Sequence, residues 1–90
     1  MVSKNVRVIN PTGLHLNPAN MLCAAAMNYS CSVSFVTSKD PLERTNVKSV
    51  LSVLGAGVKC GDEIELICEG EDEEQALEEL SALIESGLGQ

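Results

Sequence analysis

The sequence has few aromatic residues and few basic ones. Its 90 residues include no tryptophan, one phenylalanine and one tyrosine, so the hydrophobic 44% must build an aliphatic core. Six basic side chains stand against thirteen acidic ones, which gives a formal net charge of -7. Nucleic-acid binding and docking on anionic membranes both need a basic surface. The composition therefore argues against both partners, and the length predicts a single domain over residues 1–90.

A long hydrophobic segment is also absent. No stretch approaches the ~18 apolar residues of a membrane-spanning helix. The first ten residues, MVSKNVRVIN, lack the apolar region of a secretion signal. We therefore expect a cytoplasmic protein without membrane insertion. A monomer is the expected state for a chain of this size, and no cofactor is expected.

The cysteines lack the spacing of a metal or disulfide motif. None forms a C-x-x-C pair, and with one histidine in the chain a zinc site would need thiolates from distant segments. A disulfide framework would need an oxidising compartment. We expect no metal site and buried free thiols at four positions: Cys23, Cys31, Cys60 and Cys68.

Alternating apolar residues predict the strands. Apolar and polar positions alternate around Val6 and Val8, over residues 31–35 and over residues 64–68, as is typical of half-buried strands. The segment 37–44, TSKDPLER, is more polar. It predicts a turn that leads into a short edge strand.

The first helix begins near the only histidine. Turn residues occupy positions 10–13. Proline is tolerated only in the first turn of a helix, so Pro18 predicts a start near Leu16 with His15 at or beside the N-cap. Apolar residues then recur with helical spacing at Ala19, Leu22, Cys23, Ala26 and Met27.

Two more helices follow by the same criterion. The second is ended by GAG at 55–57, and its predicted apolar stripe is Val47, Val50, Leu51 and Leu54. The third has a capping-box pattern at Asp72 and Gln75 and ends at Gly87. Its predicted buried stripe is Ala76, Leu77, Leu80, Leu83 and Ile84. The acidic run 69–74 is interpreted as charge at a helix start, on a solvated face, rather than as a cation site.

The elements follow the order β-α-β-β-α-β-α with short connections. Each helix has one apolar face, which must pack against another layer. The sequence therefore predicts an α+β fold, in which three helices cover one face of a four-stranded antiparallel sheet.

The histidine admits two interpretations. In one, His15 is a plain capping or packing residue. In the other, a neutral ring nitrogen is a nucleophile, and the unbonded N–H groups of Leu16 and Asn17 receive the oxygens of a phosphoryl group at the positive end of the helix. Pro18 would then fix the geometry of the first turn, and Gly13 would supply the tight turn that presents the ring to solvent.

With these elements in order, nearly the whole chain resembles the HPr family, the histidine-containing phosphocarriers of the bacterial sugar phosphotransferase system. The resemblance rests on TGLH and PA around His15, on NVKSVLSVLGAGV over the second helix and on KCGDEIELICEGEDEEQALEEL over the last strand and helix. It implies an HPr-like open-faced sandwich. It also implies that His15 accepts a phosphoryl group from enzyme I and passes it to enzyme IIA-type subunits, as a carrier rather than an independent catalyst.

The resemblance assigns roles in the second helix as well. Ser49 falls on the family's regulatory serine, which a dedicated HPr serine kinase phosphorylates; the alternative is a helix-start serine without regulation. The exposed apolar patch that docks partners in the family corresponds to Val50, Leu51 and Leu54. By default, apolar residues at helical spacing belong to the core.

The motif departs from the family pattern beside the histidine. The family normally has arginine at position 17, where this chain has Asn17, so a bidentate cationic phosphate contact is missing. We expect a less stabilised phosphohistidine and a slower encounter with acidic partners. Leu16, where the family often has alanine, adds apolar bulk. We expect the basic residues nearest in sequence to the second helix to replace the missing positive charge only in part: Lys39, Arg44 and Lys48.

Two other functions stay open on these residues. The first is a regulatory HPr paralogue that acts through partner binding and Ser49 phosphorylation, with weak or no sugar-transport turnover. The second is a small-ligand-binding module of similar layout, which would need a ligand pocket but not His15.

Overall fold

The elements follow the predicted order. A computed structural model describes all residues from Met1 to Gln90. The strands are β1 (Val2–Arg7), β2 (Ser32–Thr37), β3 (Asp40–Asn46) and β4 (Glu63–Glu69). The helices are α1 (Leu16–Ala26), α2 (Val50–Gly55) and α3 (Glu73–Glu85). The strands form one antiparallel sheet in the order β1-β4-β2-β3, so the predicted α+β class is confirmed.

β4 lies inside the sheet, between β1 and β2, and its buried residues are Ile64, Leu66, Ile67 and Cys68. Its register pairs Val6 of β1 with Ile64 and Phe35 of β2 with Leu66, so apolar side chains of three strands meet on one face. β3 pairs only with β2 and forms an edge of the sheet. Most of its residues are exposed, as the polar TSKDPLER segment predicts.

The core is aliphatic, as the composition requires. Nineteen buried residues form one cluster between sheet and helices, and Phe35 is its only aromatic member. α3 lies against β1 and β4, and α1 contacts both α2 and α3. None of the three helices has the length and apolar character needed to cross a bilayer.

The apolar stripe of α1 faces the core over most of its length. Ala19, Leu22 and Ala26 are buried, and Cys23 is half-buried. Met27 is 63% exposed because the helix ends at Ala26 and Met27 is its C-cap. The last residue of the predicted apolar repeat therefore lies outside the helix and outside the core.

The stripe predicted for the second helix is wrong in its register. α2 begins at Val50, so Val47 lies before the helix, and the buried residue within the helix is Val53. With six residues the helix makes fewer than two turns, and its stripe is too short to define one face. The end of the helix is as predicted, since Ala56 is the C-cap and Gly57 has a φ of 65°.

The predicted capping box of α3 does not form. Asp72 is the N-cap, but its side chain makes no capping hydrogen bond. Its carboxylate instead accepts the backbone N–H groups of Ser30 and Cys31, both at 2.9 Å. These bonds tie the start of α3 to the start of β2, and they lower the pKa of the Asp72 carboxyl group.

All four cysteines are free, but they are not all buried. Cys31 and Cys68 are buried, Cys23 is half-buried and Cys60 is exposed in the turn before β4. Burial raises the pKa of the Cys68 thiol to about 12 and also raises that of Cys31. The expectation of four buried thiols is thus wrong at Cys60. No group of three or more His, Cys, Asp or Glu side chains is arranged to hold a metal ion.

Candidate functional site

The chain enters α1 through a tight turn that packs on the segment before β4. Gly13 has a φ of 68°, the left-handed conformation that glycine favours. A Cβ added there would lie 2.5 Å from the carbonyl oxygen of Val58 and 2.7 Å from the Cα of Lys59. Leu14 N–H donates to the carbonyl of Val58 at 3.0 Å. The glycine therefore allows the contact that brings Lys59 close to His15 in space.

Side chains hold the same turn from within. Asn10 is 1% exposed, and its Nδ2 donates to the Gly13 carbonyl at 2.5 Å and to Gln90 Oε1 at 3.3 Å. Thr12 Oγ1 donates to Gln90 Oε1 at 2.9 Å. The loop that precedes His15 is thus fixed by hydrogen bonds on two sides.

His15 is the N-cap of α1, and its ring is free. Its backbone is extended (φ -79°, ψ -173°), and its carbonyl accepts Ala19 N–H at 2.8 Å. An N-cap side chain normally accepts an N–H of the first turn, but the imidazole of His15 makes no such bond and is exposed. Plain capping therefore does not account for this histidine.

The first turn of α1 leaves two donors unbonded. The N–H groups of Leu16 and Asn17 donate to no group of the protein, and Pro18 has no N–H to donate. No acidic residue lies in this turn. Both donors lie at the positive end of the helix dipole next to His15, and such an end is a favourable place for an anion.

His15 lines an open groove of about 640 Å³. The loop before α1, the end of α2 and the segment before β4 form its walls, with Leu54, Lys59 and Cys60 among the lining residues. Since a water molecule takes about 30 Å³ of liquid volume, the groove has ample room for a tetrahedral anion beside the ring.

α2 carries the other predicted site residues. Ser49 is its N-cap, and its side chain accepts Ser52 N–H at 3.3 Å. Leu51 is 81% exposed, as expected of a contact residue. Val50 and Leu54 are half-buried because they pack against the core, so Leu54 is less exposed than expected, and its role as a partner contact stays a prediction.

Each of the two helices nearest the groove carries an exposed leucine: Leu16 directly follows His15, and Leu51 lies one turn before Leu54, which lines the groove. Leu16, near the start of α1, is 56% exposed, and Leu51, near the start of α2, is also exposed. The two helices contact each other. Neither side chain contributes to the buried core cluster. They are thus available to a partner that approaches the ring.

The basic residues expected to replace the missing arginine are engaged elsewhere. Lys48 Nζ donates to a backbone carbonyl at 2.6 Å, and Lys39 Nζ lies 3.9 Å from Asp62 Oδ2. Arg44 Nη2 lies 3.6 Å from the sulfur of Met1. None of the three lines the groove, so compensation by them would act through charge at a distance, and it stays a prediction.

The basic residue that does line the groove is Lys59. Lys59 lies 44 positions after His15 in the sequence, a separation that fits no helical or strand period, and no sequence motif relates the two. The only signal in the sequence is the glycine itself. Gly13 packs so closely on the backbone of Val58 and Lys59 that no larger residue fits there. Sequence patterns reveal the turn but not its partner.

The comparisons with known proteins agree with this geometry. Residues 2–86 match the family described as "PTS HPr component phosphorylation site". The chain is 38% identical over 91 residues to the phosphocarrier protein HPr of Lysinibacillus sphaericus, with 100% of each covered. It is 35% identical over 85 residues to the HPr-like protein Crh of Bacillus subtilis, with 94% of this chain and 96% of Crh covered.

A solved structure supports the same assignment. The crystal structure of HPr-C-His from Thermoanaerobacter tengcongensis matches with a TM-score of 0.91 and 32% identity, covering 100% of this chain and 98% of that one. The fold, the placement of the histidine and the match over nearly the full length lead to one conclusion. The chain belongs to the HPr family of phosphocarrier proteins of the phosphotransferase system.

Proposed function

We propose that this protein carries phosphoryl groups in the phosphoenolpyruvate-dependent sugar phosphotransferase system. It accepts the group on His15 from enzyme I and passes it to enzyme IIA-type subunits. The observation that carries the proposal is an exposed imidazole at a helix N-cap that makes no capping bond and stands beside two unbonded N–H groups. Membership of the HPr family supports the reaction class.

The transfer exchanges one bond to phosphorus for another. A ring nitrogen of His15 attacks phosphorus with its lone pair and forms a new N–P bond. The bond between phosphorus and the donor atom of enzyme I breaks, and its electron pair stays on that atom. The proton on the other nitrogen of His15 passes to water. In the next transfer the N–P bond of His15 breaks, its electron pair returns to the ring nitrogen, the ring regains a proton from water, and the IIA-type subunit takes the phosphoryl group.

The two N–H groups suit a carrier because they bind the phosphoryl group without enclosing it. The donors at Leu16 and Asn17 lie at an open helix end. A group bound tightly in the intermediate state would raise the barrier to the next transfer. An open site with a few donors therefore favours onward transfer of the phosphoryl group over its retention on His15.

The proposal also covers the surface that partners use. Leu16 and Leu51 are exposed apolar side chains near the histidine, and such patches are typical of docking surfaces. We place the protein in the cytoplasm as a monomeric single domain, where enzyme I and the IIA-type subunits reach the ring in turn.

Labelling tests the proposal directly. The protein is mixed with enzyme I and phosphoenolpyruvate, and we expect one acid-labile phosphate per chain on His15 and none in His15→Ala. The control is an HPr protein with arginine at the position of Asn17, treated in parallel. Absence of label on this protein while the control is fully labelled would contradict the carrier function.

A regulatory role is the second candidate, and Ser49 favours it. This serine caps α2 next to exposed Leu51, so a phosphate on Ser49 would place negative charge on the docking surface. The HPr-like protein Crh, described as the catabolite repression HPr of Bacillus subtilis, is 35% identical to this chain and supports this alternative. Incubation with ATP and HPr serine kinase is expected to label the wild type and to leave Ser49→Ala unlabelled. Label that persists in the variant would exclude this site.

A further inference from the structure

Lys59 is the one basic side chain without a partner in the protein. The other basic side chains each contact an acceptor: Lys4 with Glu85, Arg7 with Glu63, Lys39 with Asp62, Arg44 with Met1 and Lys48 with Tyr29. The ammonium group of Lys59 forms no hydrogen bond and no ion pair. Arg44 and Lys48 also form no ion pair, but each has a hydrogen-bond acceptor, which Lys59 lacks.

Lys59 lines the groove of His15, and no residue that carries a carboxylate lines that groove. The lining residues include Lys59 and His15 but neither aspartate nor glutamate. The backbone of Lys59 is fixed, because its N–H donates to Asp62 Oδ2 at 2.9 Å and its Cα packs on Gly13. Its flexible four-carbon side chain alone is left to move.

The two free N–H groups at the start of α1 do not line the groove themselves, and they leave one oxygen of a phosphoryl group on His15 without a donor. Such a group has three terminal oxygens, and the two N–H groups of α1 can serve two of them. The other side-chain donors of the groove are engaged, since Thr12 donates to Gln90 Oε1 and Cys60 donates to the carbonyl of Ile9. Lys59 is the remaining side-chain donor.

We propose that Lys59 supplies the cationic contact to the phosphoryl group on His15, in place of the arginine that is absent at position 17. The inference rests on the proposed function, since it concerns the phosphorylated form of His15. Lysine offers a compact charge with rotatable donors rather than a bidentate fork, so it holds the dianion and lets it go without a fixed geometry. Lys59 thereby acts on the stability of the intermediate and not on the nucleophile itself.

The test uses phosphohistidine made without any partner protein. Phosphoramidate phosphorylates the wild type chemically, and ³¹P NMR follows the last deprotonation of the phosphoryl group. A nearby cation favours the dianion, so Lys59→Gln is expected to raise the titration midpoint by about 0.5 pH unit. Lys59→Arg is expected to keep the wild-type midpoint, as is Lys39→Gln, which removes the same charge outside the groove.

Enzyme I supplies the second measurement. At equilibrium with phosphorylated enzyme I, the ratio of phosphorylated to free protein is expected to fall roughly threefold in Lys59→Gln, the factor that half a pKa unit represents. Wild-type values in Lys59→Gln for both measurements would overturn the inference. An equal shift in Lys39→Gln would also overturn it, because the effect would then come from net charge and not from contact.

The two proposals fail in different ways. A wild-type protein that enzyme I does not label, but whose chemically formed phosphohistidine titrates in a Lys59-dependent manner, contradicts the carrier function and supports the role of Lys59. A protein that enzyme I labels fully, with Lys59→Gln unchanged in both measurements, supports the carrier function and contradicts the role of Lys59.

Discussion

At the residue scale, the position of His15 depends on a glycine two places earlier. Gly13 combines a left-handed backbone with a neighbour so close that a methyl group would overlap it. The neighbour is the backbone of Val58 and Lys59, which has little freedom to move. One small residue thus joins the loop before α1 to the opposite wall of the groove.

Substitution of Gly13 and of Gly57 separates the cost of a left-handed backbone from the cost of steric overlap. Gly57 has nearly the same φ, 65° against 68°, but nothing lies within 4 Å of its added Cβ. Gly57→Ala is expected to cost only the backbone strain, about 1 kcal/mol of the free energy of unfolding. Gly13→Ala adds steric overlap and is expected to cost a further ~2 kcal/mol. Urea denaturation measures both, and equal losses would show that the contact with Val58 has no energetic weight.

At the element scale, α2 presents apolar surface without needing it for folding. The helix is short, and Val53 anchors it in the core while Leu51 is solvated. Leu42 on β3 is similarly free, at 96% exposed. The two leucines therefore form a matched pair, one near the histidine and one on the edge of the sheet.

Truncation of these leucines tests the docking surface. Leu51→Ala and Leu42→Ala are both expected to leave the free energy of unfolding within about 0.5 kcal/mol of the wild type. Only Leu51→Ala is expected to weaken binding to enzyme I, by roughly tenfold if it loses a contact of about 1.4 kcal/mol. Calorimetric titration of enzyme I with each variant gives the comparison. Equal affinities for the two variants would place the interface elsewhere.

Local constraints explain which elements the sequence predicts well. Pro18 and the position of His15 are correct because the missing N–H of a proline limits its own helix, whatever the rest of the chain does. The capping box at Asp72 is wrong because this carboxylate finds N–H donors at the start of β2, about forty positions earlier. The groove of His15 is missed for the same reason, since Lys59 reaches it only through tertiary packing.

At the scale of the whole molecule, acid stability depends on carboxylates that accept hydrogen bonds. Backbone N–H bonds from Ser30 and Cys31 lower the pKa of Asp72. A bond from the Gly70 N–H and an ion pair with the terminal ammonium of Met1 lower the pKa of Glu73. A carboxyl group with a lower pKa in the folded state stabilises the protein above its ordinary pKa, and this stabilisation is lost as the pH falls through the lowered value.

The acid limb of the stability curve tests this assignment. Asp72→Asn is expected to lower the free energy of unfolding at pH 7, and its deficit relative to the wild type is expected to shrink below about pH 4, where aspartate begins to protonate. Asp40→Asn is the control, because the Asp40 side chain accepts no hydrogen bond. Urea denaturation from pH 7 to pH 2 follows both variants. A deficit that stays constant over this range would show that the charge of Asp72 is not what stabilises the start of α3.

The uneven distribution of charge has a consequence for the way partners arrive. Thirteen acidic side chains repel an anionic surface over most of the protein, whereas none of them lines the groove that holds His15 and Lys59. An acidic partner therefore meets less repulsion at this groove than at a surface that carries carboxylates. If the protein is the proposed phosphocarrier, the negative charge that slows association would also favour encounters on the side of the histidine.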